Sequence, residues 1–155
     1  MDIKQLYQDI ILEHGKSPRN LGKCKGYNHD AKGHNPLCGD KIHIYLKLDI
    51  EKKVEDLTFE GEGCAISLAS ASIMTELLKG KSFDETTKIK NSFLNMIKNT
   101  SKIELNSLDE DSKTKMMSLS GVKKFPMRVK CATLSWHTLF SAIEKKEEIN
   151  VEEID

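Results

Sequence analysis

The chain reads as an α+β fold in which a small antiparallel sheet is covered by helices, and three observations carry that reading. Residues 41–50 alternate apolar and polar side chains, Ile42, Ile44, Leu46 and Leu48 against Lys41, His43, Tyr45 and Lys47, the period-two pattern of a half-buried strand. A turn at EKK, 51–53, leads into a second run, Val54 to Glu60, with Leu57 and Phe59 on one side, so the two strands form a hairpin. Segments with helical spacing make up most of the rest of the chain, so the sheet is small and helices cover it.

Taken in order, Ile3, Leu6, Tyr7, Ile10 and Ile11 recur at helical spacing until Gly15 and Pro18 stop the pattern, predicting a first helix. Residues 16–39 are polar and rich in Gly, Asn and Pro, so this stretch is expected to be mostly loop, with at most a short strand near Lys23 to Asn28. After the hairpin, GEGCAISLASASIMTELLKGK predicts a helix from Cys64 or Ala65 to Lys79, whose small residues Ser67, Ala69, Ser70, Ala71 and Ser72 allow close approach to the sheet. Ser82 or Asp84 can cap the next helix, which carries Ile89, Phe93, Met96 and Ile97 inward. Residues 100–120 suit one short surface helix. GVKKFPMRVKC is expected to be an extended connector because Gly121 and Pro126 disfavour helix, and a last helix should run from Ala132 to Lys146. Trp136 and His137 then serve as packing and rim residues.

A length of 155 residues and 38% hydrophobic content fit one domain, 1–155, with a core of its own. Lys plus Arg equals Asp plus Glu at 24 each, so no net field recruits nucleic acid or an anionic membrane surface. No run approaches the roughly 20 apolar residues of a membrane span. The opening MDIKQLYQDIILEH is charged throughout and reads as an amphipathic helix rather than a signal peptide, so the expected address is the cytoplasm. No Gly-rich phosphate loop, GxSxG elbow or HExxH pair is present, which argues against nucleotide, serine hydrolase and metalloprotease chemistry.

The chemistry must then be sought among four cysteines, Cys24, Cys38, Cys64 and Cys131, expected to be thiols in a reducing compartment and containing no CxxC pair. Cys38 sits in NPLCGD, a turn-forming stretch that places Asp40 two residues on. Cys64 and Cys131 each fall where a helix is expected to begin, and unpaired N–H groups at such an end favour a thiolate. Cys38, Asp40, Cys64 and Cys131 thus make a four-ligand set suited to tetrahedral zinc. Taken singly, each cysteine reads better as a small core residue and Asp40 better as a turn former. Three thiolates and a carboxylate on Zn²⁺ carry about two net negative charges, and Lys41, Arg128 and Lys130 flank the set as cations that could offset them. Cys24, in KCKGYN, has no neighbouring carboxylate and no expected helix mouth, and reads as incidental. His14 and His29 look solvated, His43 belongs on the wet face of its strand, and His34 is a loop residue that could replace a ligand but suits polar surface better.

NPLCGD, GEGCAISLASAS and RVKCATLSW, in this order along nearly the whole chain, resemble the IscU/NifU-type iron–sulfur cluster assembly family and its SufU branch. The resemblance implies an α+β sandwich with a three-stranded antiparallel sheet and an exposed site formed by Cys38, Asp40, Cys64 and Cys131. It implies zinc at that site and a role as a sulfur acceptor for a pyridoxal-phosphate cysteine desulfurase of the SufS type, with downstream cluster-assembly proteins receiving the sulfur. Such a protein is a sulfurtransferase-type acceptor rather than a stand-alone catalyst. One alternative is a scaffold on which Cys38, Cys64 and Cys131 hold iron in a [2Fe–2S] cluster; another is a purely structural zinc domain. Lys130 stands where the IscU branch has a histidine, and FPMRVKC lacks that branch's twin-proline segment, so its dedicated chaperone is not expected as a partner. Cys38, on a pliable Gly/Pro loop, is the expected sulfur acceptor.

Overall fold

A computed structural model describes residues 2–98, 106–145 and 147–153. The hairpin lies at the centre of the fold. Strand β2, Asp40–Leu48, pairs antiparallel with β3, Val54–Glu62, so that Ile42, Ile44 and Leu46 face the core together with Leu57 and Phe59. The alternation read in the sequence is observed at Ile42, Ile44 and Leu46, but Tyr45, expected on the wet face, is buried with its ring stacked on His43, and Leu48 is only half-buried.

Two further strands widen the sheet to four in the order β3-β2-β1-β4, where three were expected. Strand β1, His29–Asn35, runs antiparallel to β2 through a segment that reads as loop. Its inward positions are Ala31, Gly33 and Asn35, small or polar residues that conceal the strand from any hydrophobic pattern. Packing requires their small size: a Cβ on Gly33 would lie 2.0 Å from Thr138 Oγ1 on the helix behind it. Strand β4, Glu148–Asn150, is three residues long and pairs parallel with β1 at its edge.

Helices cover one face. Helix α1, Ile3–Lys16, begins at the Asp2 cap and packs along α2, Ala65–Leu78; α3, Phe83–Lys98, and α4, Glu110–Met117, follow. His14 was expected in solvent but is 2% exposed, its Nδ1 2.7 Å from Ser72 Oγ on α2. It falls four residues after Ile10 and three after Ile11, on the apolar face of its own helix. Helix α5 runs Pro126–Ile143, beginning six residues before the expected start at Ala132; the expected end at Lys146 lies outside the described residues. FPMRVKC is thus helix rather than connector, because Pro126 occupies the first helical position, where a missing N–H costs nothing and the fixed φ is already helical. A short 3₁₀ turn, Ser120–Lys124, precedes it. Trp136 on α5 stacks on Phe93 of α3 at 4.2 Å and donates to Ser70 Oγ of α2, knitting three helices at the core. Among the described residues no helix is long and apolar enough to cross a membrane.

Candidate metal centre

The site forms at the tip of the β1–β2 hairpin, where Asn35 pairs with Asp40 and Pro36 to Gly39 make the turn. The turn closes when the Cys38 N–H donates to the Asn35 carbonyl at 3.3 Å. Gly39 takes φ +71°, a conformation that lets the chain re-enter the sheet at Asp40. Asp40 points inward and is fully buried. Its carboxylate accepts from the Cys64 backbone N–H at 2.8 Å through Oδ1 and from Asn35 Nδ2 at 3.3 Å through Oδ2. Gly63, at φ +153°, makes this approach feasible, since a Cβ there would stand 2.3 Å from Asp40 Oδ1.

Cys38, Asp40 and Cys131 bring one ligand atom each to within 4.8 Å of one another. A tetrahedral zinc with Zn–S near 2.3 Å and Zn–O near 2.0 Å spaces its ligand atoms roughly 3.5–3.8 Å apart, so the cluster needs only a small contraction. The donor set fits such an ion with two sulfurs and a hard oxygen; Cys64, the fourth expected ligand, stands outside this group but near enough to Cys131 for the two thiols to perturb each other's ionisation. Cys64 is the N-cap of α2, its Sγ accepting from the Ser67 N–H at 3.4 Å. Cys38 and Cys64 are half-buried; Asp40 and Cys131 are buried.

The expectation that both helix-mouth thiols are acidified holds for one of them. The hydrogen bond from the Cys131 thiol, aided by the Ser67 and Ile66 backbone N–H groups against burial and Asp40, lowers the Cys64 pKa to about 6. Cys131 lies in the second turn of α5 rather than at its mouth, and its thiol is driven up strongly by the Cys64 partner, burial, Cys38 and Asp40. Without metal, Cys64 is therefore the member of the pair favoured to ionise and Cys131 the one favoured to keep its proton.

Of the three flanking cations, Arg128 reaches the centre. Three residues before Cys131 on the same helix face, its exposed guanidinium lies near enough for Cys131, Cys64 and Cys38 to hold it more firmly protonated. Lys130, around the helix, donates to the Val151 carbonyl at 3.2 Å. Lys41 is exposed on the face of β2 opposite to Asp40, paired across strands with His34 and Glu62. His34 is exposed on that same outer face. Cys24 is buried elsewhere, with its N–H on Thr58 Oγ1.

Asn35, read from the sequence only as a loop former, belongs to the centre as well. It is 1% exposed, and besides Asp40 its Nδ2 approaches Cys131 Sγ at 3.5 Å. Its Oδ1 is buried without a partner, an arrangement that ordinarily costs about 1–3 kcal/mol. Asn35 is inward-facing by the period-two parity of β1, a signal readable only once the strand is known.

Fold and site together define a small α+β protein with a partly open thiolate–carboxylate centre, built from a hairpin tip, a helix N-terminus and an arginine. Residues 6–152 match the NifU-like N terminal domain family, and the chain belongs to it. It is 40% identical over 152 residues to the zinc-dependent sulfurtransferase SufU of Bacillus subtilis, covering 94% of this chain and 95% of that one. It is 37% identical over 143 residues to the iron–sulfur cluster assembly scaffold protein IscU of Streptococcus pyogenes serotype M1, covering 92% and 86%. A crystal structure from Fervidobacterium islandicum AW-1, provisionally described as a cluster assembly scaffold for the SUF system, matches with a TM-score of 0.75 at 34% identity, over 90% of this chain and 97% of that one.

Proposed function

We propose that the protein accepts persulfide sulfur from a pyridoxal-phosphate cysteine desulfurase at Cys38 and passes it on for iron–sulfur cluster biogenesis, with Cys38, Asp40, Cys64 and Cys131 as the ligands of a zinc ion. The single observation that carries this reading is the convergence of Cys38, Asp40 and Cys131 at the hairpin tip, with Cys64 close to Cys131 beside them. Likeness to a zinc-dependent sulfurtransferase supports the same reading. The 155 residues act as one domain, as the contiguous apolar core joining the sheet to α2, α3 and α5 suggests.

Zinc held there keeps its cysteines deprotonated while restraining them as nucleophiles. The remaining chemistry belongs to the chain. Cys38 stands on a four-residue turn that can bend without disturbing the sheet, whereas Asp40, Cys64 and Cys131 are tied into β2, α2 and α5. Swung outward, the Cys38 thiolate attacks the terminal sulfur of the partner's cysteine persulfide. A Cys38 S–S bond forms, the partner's S–S bond breaks, and the partner's cysteine leaves as a thiolate, so electrons balance with no external oxidant. Arg128 offsets negative charge as the two sulfurs approach. Leu37, next to Cys38, is exposed, and a separate open pocket lined by Phe125, Met127, Lys124 and Arg128 offers a mixed apolar and basic surface for that partner.

The test is desulfurase turnover. Adding the zinc-loaded protein to a cysteine desulfurase and cysteine should raise alanine formation, and Cys38→Ala should return it to the basal rate while remaining folded. Stimulation that survives Cys38→Ala overturns the proposal. The IscU relatives favour a second reading, in which the same thiolates carry a [2Fe–2S] cluster as cargo. Rapid, specific cluster transfer from the reconstituted protein to an apo-ferredoxin would support that reading over sulfur acceptance.

A further inference from the structure

We propose that Asn35 is a positioning residue of this centre, its side-chain amide holding Asp40 and Cys131 as one fixed unit while its backbone carries the turn on which Cys38 moves. The inference rests on the sulfur-accepting reading above and deepens it. Both atoms that the Asn35 amide meets, Asp40 Oδ2 and Cys131 Sγ, act as acceptors when ionised, so only its NH₂ end can face them. Each of its two N–H bonds is thereby directed at a different proposed ligand. The cost is visible at the other end of the same group, where Oδ1 is buried and unpaired. A side chain chosen only to fill space would leave no such orphan, because an apolar residue of similar size would serve.

The backbone adds the second half of the argument. The Asn35 carbonyl accepts the Cys38 N–H that closes the turn, and Asn35 is the last β1 residue before it. Asp40, its cross-strand partner, is the first residue after it. Asn35 therefore stands at the boundary between what must stay and what must move. Through Asp40 the unit extends to α2, since Asp40 Oδ1 holds the Cys64 N–H. When Cys38 departs, the hydrogen bonds that place Asp40 and Cys131 remain, because none of them passes through the turn.

The experiment compares wild type with Asn35→Ala and Asn35→Asp as full chains. Zinc affinity is measured by competition with a chromophoric chelator, thiolate-to-metal absorption in the cobalt-substituted proteins, and folding of the metal-free chains by circular dichroism. Loss of a hydrogen bond to a metal ligand typically weakens metal binding about 10–100-fold, and Asn35→Ala should fall in that range with altered thiolate–cobalt bands. Asn35→Asp keeps the shape but replaces the donor with a negative group beside Asp40 and Cys131, so it should bind more weakly than Asn35→Ala. A space-filling role requires the opposite order, and Asn35→Asp binding as tightly as wild type overturns the inference. Should Asn35→Asp not fold, unchanged affinity and cobalt spectrum in Asn35→Ala overturn it alone. Persulfide transfer to wild-type Cys38 separates the two claims: transfer with unmoved affinities removes only the role of Asn35, whereas affinities in the expected order without transfer leave Asn35 supporting a metal site and remove sulfur acceptance.

Discussion

At the scale of single residues, the two cysteines that look alike in sequence do different work. Cys64 caps α2 and is drawn toward the thiolate, its pKa lowered to about 6, while Cys131, buried on the second turn of α5, is driven toward keeping its proton. In metal-free protein Cys64 should therefore alkylate first, with a half-maximal rate near pH 6, because the reactive thiolate exists above its lowered pKa. Mass spectrometry of alkylated peptides across pH reads this directly; a Cys64 midpoint at the ordinary thiol value of about 8.5 would refute the pairing. Arg128→Ala should move that midpoint upward, since the guanidinium's positive charge favours the Cys64 thiolate. Cys38, Asp40, Cys64 and Cys131 were all legible as candidates, because thiols and a carboxylate in turn and helix-end settings stand out in any chain. Asn35 was not, because an asparagine before proline carries a turn signal that hides its burial.

At the scale of elements, glycine contacts decide how closely strands and helices meet. Gly63→Ala should destabilise the protein by about 2–4 kcal/mol in denaturant titration, since its Cβ would meet Asp40 Oδ1 at 2.3 Å in a conformation side chains avoid. Gly39→Ala, with open space around it, should cost only about 1–2 kcal/mol from backbone strain at φ +71°. Equal losses at the two positions would contradict the packing account. Such close approaches also explain which elements the sequence reveals. The β2–β3 hairpin was legible because its inward residues are large and apolar. Strand β1 was not, because α5 lies so near that only Ala31 and Gly33 fit beneath it, and strand β4 is too short to show a period. The start of α5 was misread because proline breaks helices in their interior yet begins them readily, and residue type alone does not say which position it holds.

At the scale of the whole molecule, burial of histidine links stability to pH. His137 is depressed from 6.5 to about 4 by desolvation and by Lys90, Lys98 and Lys130, and His14 is lowered chiefly by its burial. Both are protonated more readily in the unfolded chain, so stability is full above about pH 6.5 and declines as pH falls toward 4. His137 should account for about 1–2 kcal/mol of that loss, which His137→Gln should abolish in denaturation midpoints compared across this window. The central claim is that a fixed unit of Asp40, Cys64 and Cys131 frees Cys38 to take sulfur. Its most direct test is to mix the zinc-loaded protein with a cysteine desulfurase and cysteine, then map persulfides by mass spectrometry. The account predicts added sulfur on Cys38; persulfide on Cys131 or Cys64 with Cys38 unmodified would contradict it.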